Sequence, residues 1–201
     1  MPFPLARDNK HTDASRPLSK YSDADLETLL QGRASPLILV LDGIQDPHNL
    51  GACLRTADCA GIDLVVLTRK RSAPVNETVK RIACGGAENI PILLANNLRN
   101  TLEKLKKLGV WIAGTSDHKA SQSIWQTDLR GPLAIVMGAE GDGIRHLTGI
   151  TCDFFLKIPM FGTVPCLNVS VATGVCLFEA LRQRKSPGSS NAKRDTRNAT
   201  A

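Results

Sequence analysis

Four polar residues stand where an α/β chain could use them for chemistry. Asn49 and Arg55 lie in DPHNLGACLRTA (46–57), Glu140 in MGAEGDGI (137–144), and Asn168 in IPMFGTVPCLNVSVA (158–172). A helix start leaves backbone N–H groups unpaired and attracts anions. Arg55 offers a planar fork suited to a phosphate or carboxylate. Asn49 can cap the helix, and Gly51 lets a ligand come close to the backbone. The same residues equally fit a plain capped helix with an exposed arginine. Glu140 is one acid among glycines; it can cap the next helix or order Asn49 and Arg55 by hydrogen bonds. This glycine order is neither the Rossmann fingerprint nor a Walker loop. Asn168 and Ser170 stand where the last helix would be capped. Histidine is the usual side-chain base near neutrality, but His48, His118 and His146 read as ordinary loop residues.

The elements that must position these groups follow from the apolar pattern. The continuous apolar run 37–41, introduced by Pro36, reads as a strand buried on both faces. Segments 63–67, 90–95, 110–114, 132–137 and 152–158 read as further strands. Helical spacing marks 21–31, capped by Ser22 or Asp23, then 49–60, 76–84, 98–108 and 169–184. In 49–60, Leu50, Cys53, Leu54 and Ala57 share one side, and Gly61 ends the helix. Alternating strands and helices predict an α/β fold with a mostly parallel sheet and helices on both faces. C-terminal strand ends of such a sheet share one edge, so the three motifs are expected to converge.

The 201 residues suit one domain and carry a net charge of +6, which fits a polyanionic partner. Residues 1–20 are polar, lack an apolar signal core and read as disordered; 185–201 read as a basic disordered tail. With no run of about 18 apolar residues, the chain is expected in the cytoplasm, away from membranes. The six cysteines form no C-x-x-C pair and no zinc spacing. They are expected to be reduced, mostly buried small hydrophobes, with no metal bound.

The three motifs together closely resemble the SpoU (TrmH-like) branch of the SPOUT methyltransferases, over residues 21–184. The intervening RSAPVNETVKRIACGGAE (71–88) is similar to the bacterial 23S rRNA guanosine-2′-O-methyltransferases of that branch. The resemblance implies a SPOUT α/β trefoil knot, an exception to the rule against threaded loops, and a homodimer. It implies S-adenosyl-L-methionine as cofactor, held by Thr115, Gly138, Ile158, Met160, Leu167 and Ser170. Arg55, Asn49, Glu140 and Asn168 would be catalytic, and the reaction would be 2′-O-methylation of RNA ribose, with rRNA ahead of tRNA. RNA would meet Arg55, the basic loop Arg69, Lys70 and Arg71, and Lys80 and Arg81. A dimer that binds RNA without catalysis is the alternative of another class. Two departures stand out. The family usually has serine where Cys166 stands, and its close relatives carry an N-terminal RNA-binding domain for which about 20 residues leave no room.

Overall fold

All six residues of β2 (Leu37–Asp42) are buried, because helices cover the sheet on both sides. The computed structural model describes residues 20–118, 120–139, 141 and 143–185. The expectations for 1–19, the tail 186–201, Glu140 and Asp142 lie outside these residues. In chain order the elements are β1 (Lys20–Tyr21), α1 (Leu26–Leu30), β2, α2 (Pro47–Ala60), β3 (Leu64–Thr68), α3 (Glu77–Ala83) and α4 (Gly86–Asn89). There follow β4 (Ile92–Ala95), α5 (Leu98–Lys107), β5 (Trp111–Thr115), β6 (Gln122–Ser123), β7 (Leu133–Gly138), α6 (His146–Gly149), β8 (Phe154–Lys157) and α7 (Val169–Lys185).

The strands form one eight-stranded sheet among the described residues, ordered β1-β4-β3-β2-β7-β5-β8-β6. Every strand pair is parallel. Strands β2, β3 and β4 build outward in one direction. The chain then crosses to β5, and β7 enters between β2 and β5, pairing Asp42 with Gly138. The two sides of the strands feed two cores, as the two-residue side-chain period requires. On one face Leu39, Leu41, Val65 and Ile135 belong to the core that takes in Leu50, Leu54, Val79 and Leu177. On the other, Ile38, Val40, Val66 and Val136 join Leu26, Leu98, Leu102 and Leu105.

Several local expectations needed correction. The cap of α2 is Asp46, not Asn49; its carboxylate accepts from the His48 and Asn49 N–H groups, with Pro47 in the first turn. Proline fits there because it has no N–H to satisfy. His48 therefore sits in a helix rather than a loop, as does His146, the first residue of α6. Helix α1 starts at Leu26 after Asp25, whose carboxylate turns back to accept from Ser22, so neither Ser22 nor Asp23 caps it. Strand β4 begins at Ile92 because 86–89 form the short helix α4. The cysteines are free as expected but not mostly buried. Cys53 and Cys176 are buried, Cys152 is intermediate, and Cys59, Cys84 and Cys166 are exposed. Cys59 lies on the outer side of α2, and Cys84 ends α3 in the left-handed region at φ 51°.

Arg184 ties the end of α7 to the far edge of the sheet. Its guanidinium donates to the carbonyls of Leu129 (3.1 Å), Ser35 (2.7 Å) and Gly131 (2.6 Å). Replacing Arg184 with alanine removes three charge-assisted hydrogen bonds at once, one part-buried and two exposed. The expected cost is about 2–3 kcal/mol, read as a lower urea midpoint at unchanged slope. A midpoint equal to that of the unsubstituted chain would contradict this role.

Candidate functional site

Because the sheet is parallel, the C-terminal ends of β7, β5 and β8 lie side by side, and a cavity of about 910 Å³ opens there. Its lining draws on Thr115 at the end of β5, Met137 and Gly138 at the end of β7, and Leu156 to Ile158 from β8 onward. The loop after β7 supplies Ala139, Gly141, Gly143 and Ile144. The connection into α7 supplies Met160 and Pro165 to Asn168, and α7 itself adds Val169, Ala172 and Cys176. The size suits one small organic ligand. Glycine backbone beside Leu, Ile and Met side chains suits a nucleoside-like group held by main-chain bonds and apolar contact.

Gly138 has its residue type for a steric reason. A Cβ there would lie 2.2 Å from the Gly143 carbonyl carbon and 2.4 Å from the Ile144 nitrogen. The loop folds directly onto the strand end, where the Ala139 and Gly143 backbones exchange hydrogen bonds of 3.1 and 2.9 Å. Beneath it, the Thr115 hydroxyl donates to the Val136 carbonyl at 2.9 Å. Burial pushes the Cys176 thiol up to about 12, and burial with the Asp153 charge does the same for Cys152. Both are neutral thiols at physiological pH, so neither serves as a nucleophile.

The structure brings Asn49 and Asn168 together across 119 residues: the Asn168 amide donates to Asn49 Oδ1 at 2.9 Å. Asn168 Oδ1 accepts from the Ser170 N–H (2.9 Å) and hydroxyl (2.6 Å), which fixes the amide orientation and caps α7 as expected. Of the six residues expected to hold a cofactor, Thr115, Gly138, Ile158, Met160 and Leu167 line the cavity. Ser170 is outside the lining and faces Asn168 instead. Arg55 is also outside it. It stands six positions after Asn49, which leaves the two about 120° apart around α2. It is exposed, and no described residue pairs with it. Gly51 is approached by protein rather than ligand, since an added Cβ would meet Ile82 Cβ at 2.7 Å and the Val79 carbonyl at 2.9 Å.

Arg69, Lys70, Arg71 and Arg81 are exposed. The loop 69–71 follows β3, on the same sheet edge as the cavity. Lys80 is already engaged, 2.8 Å from Glu77, and that bond raises its pKa. Sequence reasoning missed Asp42 and Arg145, which join β2 to the chain after the glycine loop, and His118, which lines the cavity. An acidic residue ending an otherwise apolar strand was the available signal for Asp42.

Residues 36–178, more than half of the chain, match the SpoU rRNA Methylase family. The chain is 53% identical over 169 residues to the 23S rRNA (guanosine-2′-O-)-methyltransferase RlmB of Vibrio vulnificus, covering 84% of this chain and 68% of that one. Among solved structures it is similar to an AdoMet-bound rRNA methyltransferase from Sinorhizobium meliloti. That match has a TM-score of 0.71 and 29% identity, over 77% of this chain and 59% of the other. It is also similar to an A. aeolicus TrmH/SpoU tRNA modifying enzyme, with a TM-score of 0.68, 32% identity and coverage of 81% and 82%. The fold is thus the α/β knot that the motifs led one to expect.

Proposed function

The chain belongs to the SpoU rRNA methylase family, and we propose that it is an S-adenosylmethionine-dependent RNA ribose 2′-O-methyltransferase acting on a guanosine of 23S rRNA. The cavity at the ends of β5, β7 and β8 carries this reading, with Asn168, tied to Asn49, in its lining. Residues 21–184 form the methyltransferase domain, and its compartment is the cytoplasm. Among the described residues no helix is long and apolar enough to cross a membrane.

The cavity fits the cofactor in volume and in its mix of bare backbone and apolar side chains. Thr115, Gly138, Ile158, Met160 and Leu167 would hold it. When bound, S-adenosylmethionine supplies an electrophilic methyl group. The protein must then place a ribose 2′-hydroxyl in line with that group and ease loss of its proton. Asn168, locked by Ser170 and Asn49, positions the ribose. An arginine stays protonated and is a poor base, so Arg55 acts as a cation: it binds the flanking phosphate and stabilises charge developing on the hydroxyl oxygen. Glu140 and Asn49 orient these groups. Arg69, Lys70, Arg71 and Arg81 attract the RNA backbone. Phe161 is 95% exposed, with Val164, Val171 and Phe178 also exposed along the α7 approach. A second copy of this chain covers that apolar surface, as a homodimer.

The deciding experiment offers radiolabelled S-adenosylmethionine with naked 23S rRNA and tRNA, then maps the methylated nucleotide. Label in a 2′-O-methylguanosine of 23S rRNA is expected. Label in tRNA alone would replace the substrate, and absence of cofactor binding by the dimer would leave only an RNA-binding protein.

A further inference from the structure

Asp42 is the last residue of β2 and only 1% exposed, yet it is a carboxylate. Its partner is Arg145, 103 residues later. The Arg145 backbone N–H donates to Oδ2 at 3.3 Å and its Nε to Oδ1 at 2.7 Å, and Nη2 also pairs with Oδ1. A buried carboxylate is costly unless paired and hydrogen-bonded, and this one is held by both the main chain and the side chain of one residue.

The place of this pair gives it meaning. Asp42 is the register partner of Gly138, so it lies beside the strand end on which the glycine loop folds. Arg145 stands just beyond that loop. At Gly141 and Gly143 the loop takes positive φ, and a Cβ added at either would meet nothing within 4 Å. Among the described residues it is tied down by the Ala139–Gly143 bridge, by Ile144 packed against the core and, at its exit, by Arg145. The same loop forms one wall of the cavity, whereas neither Asp42 nor Arg145 lines it. We infer that the Asp42–Arg145 pair is a clasp that holds the glycine loop against the end of β7 and so sets the cofactor-facing wall. Arg145 is thus a positioning residue, acting on the ligand through the loop. The second half of this statement rests on the cofactor reading above; the first half does not.

The test uses the full chain with Arg145→Gln, Arg145→Lys and Asp42→Asn. Amide exchange at Ala139 and Gly143 reports the loop, and calorimetry with S-adenosylmethionine reports the wall. In Arg145→Gln, exchange at these amides should rise at least about ten-fold, the signature of easier local opening. Cofactor Kd should rise about ten-fold, within the usual span of coupling between separate groups, while kcat at saturating cofactor stays within about three-fold. Lysine keeps the charge and loses the fork, so Arg145→Lys should recover part of both effects. Exchange within about two-fold of the unsubstituted chain overturns the clasp, whether or not the cofactor binds. Faster exchange with unchanged Kd overturns its control of the wall. Failure of the unsubstituted chain to bind S-adenosylmethionine sinks the cofactor reading, while the exchange rates still decide the clasp. Should Asp42→Asn fail to fold, the two Arg145 variants carry the test, because that side chain is 35% exposed.

Discussion

Replacing Arg55 with alanine is expected to lower kcat by about 10²–10³-fold, the usual effect of removing one charge-stabilising donor, while affinity for S-adenosylmethionine stays unchanged. The separation follows from geometry. Arg55 lies outside the cavity lining, on a different side of α2 from Asn49. Its side chain is exposed and no described residue pairs with it, so the fold loses little when it is cut. A residue needed only for stability would instead move the melting temperature first. Arg55→Lys sharpens the point. A lysine keeps the charge but cannot grip a phosphate through two parallel bonds. We expect Arg55→Lys to recover no more than about ten-fold of the lost rate, an increment of about 1.4 kcal/mol. Single-turnover methylation with saturating RNA, beside calorimetry of the cofactor, reads both quantities. Nearly full turnover in Arg55→Lys would show that charge alone suffices, and a parallel loss of cofactor affinity would place Arg55 in the cofactor site.

The framework was legible in sequence because burial on both faces leaves an unmistakable trace. The run Leu37–Leu41 could be read as a strand buried on both faces, and the spacing of Leu50, Cys53, Leu54 and Ala57 as one side of α2. What was not legible depended on competition between neighbours. Asp46 and Asn49 are both good capping residues three positions apart, and Pro47 in the first turn decides for Asp46. Gly51 looked like a place for ligand approach; only the tertiary fold reveals that Ile82 takes that space. The hydroxyl of Ser170, outside the cavity lining, donates to Asn168 Oδ1, a contact that the motif did not announce. Exposed Cys59 and Cys84 could not be told from buried cysteines because their segments are helical with mixed faces. The Asp42–Arg145 pair spans 103 residues, a separation at which no local pattern carries information.

Adding a single methyl group at Gly138 is expected to cost S-adenosylmethionine affinity about 100-fold. The new Cβ would fall 2.2 Å from the Gly143 carbonyl carbon, 2.4 Å from its oxygen and 2.4 Å from the Ile144 nitrogen. These are backbone atoms, so no side-chain rotation relieves the clash. Either β7 or the loop must move. Strand β7 is held between β2 and β5 by parallel ladders on both sides, with Leu133 to Met137 buried. The loop, held to the strand end by the Ala139–Gly143 bridge rather than by ladders on both sides, is the softer partner and will lift. Overpacking of this kind costs about 1–3 kcal/mol, and the upper end corresponds to about 100-fold in affinity. Because the strain is released in the loop, the thermal transition of Gly138→Ala should stay cooperative and fall by only a few degrees, about what 1 kcal/mol produces in a domain of this size. Calorimetry with S-adenosylmethionine beside a thermal melt separates the two effects. Binding as tight as in the unsubstituted chain would mean that the loop does not form the cofactor wall. A collapse of the melt with binding intact in the surviving folded fraction would mean that β7, rather than the loop, gave way.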